Sequence, residues 1–169
     1  QMCIRDRKTL DAFLFCCYAG MRYSDFVNMK PDNIVEMHQE TWLIYKSIKT
    51  GTEVRLPLYL LFSGKGILIL NKYQANLQDF FHLRDNSNVN KELIIIARLA
   101  GVAKKVSFHT ARHTNATLLI YNGVNITTVQ KLLGHKSVKT TQIYTNVMDA
   151  TIISDLEKNH SSVHRKKGK

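Results

Sequence analysis

The stretch LGHKSVKTTQIYT, residues Leu133 to Thr145, sets His135 nine residues ahead of Tyr144 in a 169-residue chain of formal charge +11. A tyrosine near the end of a basic chain can fill a core, stack on a base or act as a nucleophile, and its company decides which. Just upstream, ITTVQKLLG reads as a short helix capped by Asn125, with Gly134 turning the chain at its end, and SVKTTQIYT begins another helix after Ser137. Taken alone, the two helices could form a helix-turn-helix in which Lys136 and Lys139 touch phosphate and Gln142 reads a base. His135 in that setting is equally a C-terminal helix cap.

Working outward, SFHTARHTNATLLIYNG is a helix with Ser107 at its N-cap and Gly123 just past its end. His109 and Arg112 are three residues apart, so they share a face and can reach one anion. An isolated H-x-x-R pair is explained as well by a helix-start histidine and a surface charge. Before it, KELIIIARLAG is a core helix ended by Gly101, and the polar cluster RDNSNVN, Arg84 to Asn90, reads as the clearest internal linker. Residues 58–83 read as helix with a Gly-interrupted start and a loop near Asn76.

At the other end, Leu10, Phe13, Leu14 and Cys17 fall at helical spacing and Gly20 stops the helix. GMRYSDFVNM follows, with Arg22 on a tight connection and Ser24 able to cap a short helix. Then the period changes. Ile34 and Val35, next Trp42, Ile44 and Ile48, then Val54 and Leu56 are β-favouring runs separated by polar turns. Thr50-Gly51 is the strongest turn signal, which sets Lys49 at the lip of the last hairpin, and Pro57 closes the sheet. The expected fold class is therefore α+β, mostly helical, with a small three-stranded antiparallel sheet.

Bulk composition bounds the partner. Apolar content of 44% and charged content of 22% are ordinary for one globular domain, which at this length hides roughly 70% of its chain surface. Twenty-four Lys and Arg against thirteen Asp and Glu favour a polyanion, because each contacted phosphate releases counterions. Nucleic acid leads over a merely solvated surface or anionic lipid.

Cys3, Cys16 and Cys17 are odd in number and two are adjacent, which fits a reducing compartment. FLFCCYAG is not a signal peptide, since Asp6 and Asp11 interrupt the basic flank, and LPLYLLFSGKGILIL is broken by Gly64, Lys65 and Gly66. Both read as parts of a soluble fold. Seven histidines show no zinc-like spacing, and His109 with His113 lacks an obvious third ligand, so no metal is expected. QMCIRDR, residues 1–7, has no clear period and is read as an uncertain edge of the chain.

Together, AGMRYSD, KTG at a hairpin, HTARH on a helix and LGH nine residues before a tyrosine form an ordered set. In that order and spacing the sequence resembles the catalytic domain of tyrosine recombinases, the phage-integrase-like family of mobile elements, from about Lys8 to Asn146. The resemblance implies catalytic roles for Arg22, Lys49, His109, Arg112, His135 and Tyr144. Asn115 stands where the family commonly has an aromatic, and Lys136 where a small polar residue is common.

The residue types suit the chemistry. Attack on a phosphodiester spreads negative charge over the non-bridging oxygens, and two guanidinium forks, Arg22 and Arg112, match it. A free tyrosine has a pKa near ~10 and needs positive charge or a base, for which His109 is the candidate. Lys49 can protonate the leaving deoxyribose oxygen, with Lys46 as its rival. His135 donates to a phosphate oxygen.

The resemblance further implies strand cleavage and rejoining through a 3′-phosphotyrosyl link, which conserves bond energy and needs neither metal nor other cofactor. It implies double-stranded DNA as partner and a homotetramer on two synapsed sites, with a monomer expected for this chain alone. It also implies an N-terminal DNA-clamping domain outside this chain, and a bacterial, cytoplasmic, nucleoid-associated setting. A non-catalytic DNA-binding module and a type IB-like relaxing topoisomerase are the alternatives. Residues 8–150 are then the catalytic domain. Residues 151–169, with the amphipathic ATIISDLEKN, form a C-terminal segment packing on its own domain or on a neighbour.

Overall fold

Ala12, Phe15, Cys16 and Ala19 recur at the i, i+3, i+4, i+7 spacing of one helical face, and each is 2% exposed or less. They belong to α1 (Ile4–Ala19), the central helix in a computed structural model that describes residues 4–145. The buried face differs from the expected one: Leu10, Phe13 and Leu14 are only half-buried. The cause is crowding on several sides, since α3, α5 and α6 all pack on α1. The helix also reaches back into residues 4–7, where the sequence offered no period.

Gly20 ends α1 at φ +69°, and a Cβ there would lie 2.6 Å from Asn115 Oδ1 and 2.9 Å from Leu133 Cδ2. Both conformation and space therefore require glycine. Asn115 donates to the carbonyls of Cys17 and Tyr18 at 3.0 and 2.9 Å, satisfying acceptors that a helix end leaves open. This gives a structural role to one of the two positions where the sequence departs from the pattern it resembles.

The next helix, α2 (Tyr23–Val27), is preceded by Arg22 in extended conformation at φ −81° and ψ 156°. Arg22 thus occupies the N-cap expected of Ser24, which lies inside the helix. Strands β1 (Ile34–Met37), β2 (Glu40–Lys46) and β3 (Glu53–Pro57) form an antiparallel sheet in the order β1-β2-β3. The register Leu43↔Leu56 and Tyr45↔Val54 turns one face to the core, where all four are buried. Ile48, expected in a strand, lies in the β2–β3 turn and is 57% exposed. That turn is closed by Gly51 N–H donating to Ser47 O at 2.7 Å, with Gly51 at φ +67°.

Residues 58–83 split into a 3-10 turn, α3 (Lys65–Lys72) and α4 (Leu77–Phe81). Asn76 caps α4 by accepting from Asp79 N at 3.0 Å. The expected linker at 84–90 is mostly helix: Asp85 accepts from Asn88 N at 3.1 Å and starts α5 (Asn86–Leu99). Polar residues there are the first turn of a capped helix and not a break.

Ser107 and Asn125 cap α6 (Phe108–Tyr121) and α7 (Ile126–Leu133) as expected. A single turn, α8 (Lys139–Gln142), follows Gly134. Phe15, Phe26, Phe80, Phe81 and Phe108, fully buried, knit α1, α2, α4 and α6 together, with Phe26 and Phe80 edge to face at 5.4 Å. The molecule is the mostly helical α+β fold with one small sheet. Residues 1–3 and 146–169, including ATIISDLEKN, lie outside the described residues.

Candidate active site

Five segments meet where the ends of α1 and α7 approach the β2–β3 turn. Arg112, on α6, is 1% exposed, and its Nη1 and Nη2 donate to Gly20 O at 2.7 Å and Leu133 O at 2.5 Å. The guanidinium thereby braces the C-terminal ends of two helices, where cations are favoured. Burial and then the charge of Arg22 lower its pKa to about 10, so it stays protonated at neutral pH.

Arg22 is aimed by a buried carboxylate. Its Nη1 donates to Ser47 Oγ at 3.1 Å and lies 3.5 Å from Asp25 Oδ2. Asp25, 2% exposed, also accepts from Ile48 N at 2.9 Å and from Ser47 Oγ at 3.3 Å. One carboxylate therefore fixes both the arginine and the base of the hairpin turn. The turn's other side is tied by Thr50 Oγ1, which donates to Gly134 O at 3.1 Å. Gly134, at φ +62°, has room for no Cβ, which would sit 2.6 Å from Val54 Cγ2.

Lys49 rides exposed in that turn, whereas Lys46 is the exposed last residue of β2, opposite Glu53. The charge of Lys49 acts on His109 in the first turn of α6. Burial, then His113, Arg112, Arg22 and Lys49, lower the pKa of His109, so its ring is neutral and able to take a proton. Its ring meets that of His113 edge to face at 4.4 Å.

His135, 8% exposed, follows the Gly134 turn, with its N–H donating to Gln130 O at 3.0 Å. Its Nδ1 lies 2.9 Å from Thr141 Oγ1. Burial, then Arg112, Arg22 and His109, lower its pKa to about 4, which makes it a neutral hydrogen-bonding group at pH 7.

Tyr144, expected on a helix, sits half-buried in the turn after α8, its N–H donating to Thr141 O at 3.1 Å. Its ring packs against His113 at 5.4 Å. Burial raises the phenol's pKa while Arg112 and Arg22 draw it back. Arg22, His109, Arg112, His135 and Tyr144 thus lie close enough to act on one another's charge, and Lys49 acts on His109.

Three neighbours went unread in the sequence: Asp25, Ser47 and Thr141. Asp25 carried a weak signal, standing three residues after Arg22. Ser47 and Thr141 carried none, since Ser47 acts across the fold and Thr141 through burial. His113, read in the sequence only beside His109 for a metal, packs instead on the ring of Tyr144. Lys136, Lys139 and Gln142 are exposed around α8. Yet α8 spans four residues and its Thr141 is fully buried, so it is too short to serve as the recognition helix of a helix-turn-helix. Among the described residues no helix is long and apolar enough to cross a membrane.

The fold is that of known recombinases. It superimposes on XerA recombinase with a TM-score of 0.67 at 23% identity, covering 94% of this chain and 65% of that one. XerH site-specific recombinase, in a post-cleavage complex with palindromic difH substrate, gives 0.68 at 21% identity, covering 95% and 47%. The profile of the Phage integrase family matches residues 3–151, and the chain belongs to that family. Relatives include tyrosine recombinase XerC of Caldanaerobacter subterraneus subsp. tengcongensis, 32% identical over 92% of this chain and 45% of that protein. Tyrosine recombinase XerD of Listeria monocytogenes serotype 4b is 50% identical over 76% of this chain and 46% of that protein. The chain spans about half the length of these curated relatives.

Proposed function

We propose that this chain is the catalytic domain of a site-specific DNA recombinase that cuts and rejoins strands through a tyrosine. The oxygen of Tyr144 attacks the scissile phosphorus and its proton passes to His109. The bond to the 5′-oxygen breaks, and Lys49 protonates that leaving oxygen, which departs as a 5′-hydroxyl. The product is a 3′-phosphotyrosyl link. The 5′-hydroxyl of a second strand attacks it, giving its proton to Lys49. The bond to Tyr144 breaks, its oxygen taking back the proton from His109, and the phosphodiester is restored. Arg22, Arg112 and the N–H of His135 stabilise charge on the non-bridging oxygens.

The observation that carries this reading is geometric: Arg112 is braced between Gly20 O and Leu133 O, Arg22 is tied to Ser47 at the base of the Lys49 turn, and Tyr144 packs on His113, whose ring meets that of His109. Arg112 is covered, so its contact with phosphate needs the residues over it to shift when DNA binds. Lys46, Lys136, Lys139 and Gln142 are assigned to the DNA surface. XerH bound to its palindromic difH substrate and the Tn1549 transposon integrase in complex with a circular intermediate DNA support double-stranded DNA as partner. A homotetramer and a separate N-terminal clamp belong to the same proposal for the whole enzyme, as does action on the bacterial chromosome or a mobile element.

The test is a covalent-adduct assay on a pool of nicked duplexes of randomised sequence. The wild-type chain should give a detergent-resistant protein–DNA adduct, unaffected by EDTA. Tyr144→Phe should lose it while heparin retention stays the same. Adduct formation by Tyr144→Phe would refute the assignment, and relaxation of supercoils without pairing of two sites would favour the topoisomerase alternative.

A further inference from the structure

Thr140 and Thr141 are adjacent hydroxyl residues with opposite fates: Thr140 is exposed and Thr141 is fully buried. A buried hydroxyl is costly unless it is hydrogen-bonded, and the partner of Thr141 Oγ1 is Nδ1 of His135, 2.9 Å away. In a neutral imidazole one nitrogen donates and the other accepts, so the direction of this bond fixes the character of Nε2. If Nδ1 carried the proton, Nε2 would offer a lone pair to an incoming phosphate oxygen, and the two would repel. If Nδ1 accepts, Nε2 carries the N–H.

We propose that Thr141 is a positioning residue: its hydroxyl donates to Nδ1 of His135 and holds the ring in the Nε2–H form, ready to donate to a phosphate oxygen. The inference rests on the strand-transfer reading for its last step only. The ring's depressed basicity supports it, since an uncharged imidazole has one proton to place. The same residue also holds the nucleophile's segment, because Thr141 O accepts from Tyr144 N at 3.1 Å. One threonine therefore couples the group that grips the phosphate to the group that attacks it.

The experiment uses the chain labelled with ring-¹⁵N histidine, compared with Thr141→Val, which keeps the shape, and Thr141→Ser, which keeps the donor. At pH 7 the His135 ring should show Nε2–H and a hydrogen-bonded, unprotonated Nδ1. Thr141→Val should move the Nδ1 resonance to that of an unbonded nitrogen or transfer part of the proton to it, and lower the adduct-forming rate about tenfold. Thr141→Ser should restore both to within about threefold.

A wild-type ring protonated on Nδ1 would overturn the proposal, as would an unchanged adduct rate in Thr141→Val. No adduct from the wild type, alongside the expected ring signals, would fault strand transfer and leave the Thr141–His135 bond standing.

Discussion

Arg112 and Lys49, both assigned to the proposed site, are held in opposite ways. Arg112 is sealed beneath the surface, its fork spent on two carbonyls from different helices. Lys49 stands in solvent on a turn anchored on both sides of it, at Ile48 by Asp25 and at Thr50 by Gly134, with only its side chain free to move. The contrast follows from their proposed tasks. A group that stabilises developing charge works best when it cannot reorient, whereas a proton donor must reach its acceptor and then withdraw. A planar, permanently charged guanidinium suits the first, and an ammonium on a flexible stem suits the second.

Replacing the fixed cation should do the greatest harm. Arg112→Ala leaves the Gly20 and Leu133 carbonyls without donors, and we expect a loss of about 3 kcal/mol in urea denaturation together with complete loss of adduct. Arg112→Lys should keep charge but lose the two-pronged bracing, so wild-type activity in that variant would erase the contrast. Lys49→Ala should slow adduct formation by about 10²–10⁴-fold while stability changes by under about 0.5 kcal/mol. A substrate with sulfur in place of the bridging 5′-oxygen should recover most of that rate, because a thiolate leaves without a proton.

Gly134→Ala tests the joint between the two regions. The left-handed backbone and the 2.6 Å approach to Val54 should cost about 2 kcal/mol, read as a lower denaturation midpoint. A further test is pH. The pKa of His135 in the fold, about 4, lies below its ordinary 6.5, so the unfolded chain takes up the proton first on acidification. Stability should therefore fall as pH drops from about 6.5 toward 4, and His135→Gln should flatten that slope in thermal melts.

Local chemistry was readable from the sequence and long-range chemistry was not. Ser107, Asn125, Gly123 and Gly134 mark helix ends because a cap is decided within a few residues. Asp85 misled because a cap and a linker share the same polar alphabet, and Ser24 misled because the extended conformation needed for capping fell two residues earlier. Ile48 shows β propensity yielding to a turn.

In the pocket, Arg22, Lys49, His109, Arg112, His135 and Tyr144 stood out only as an ordered set, each being ambiguous alone. Asp25 and Ser47 act through partners more than twenty residues away, and Thr141 through burial, none of which periodicity reports.

The bracing by Arg112 bears on how an inert but properly shaped version of this protein should be made. Silencing it at residue 112 would slacken the ends of α1 and α7 at once, so a lost reaction there confuses a missing reagent with a loosened frame. Removing one oxygen from Tyr144 leaves every brace in place. For trapping an uncut nucleoprotein assembly, the tyrosine is the position to disarm.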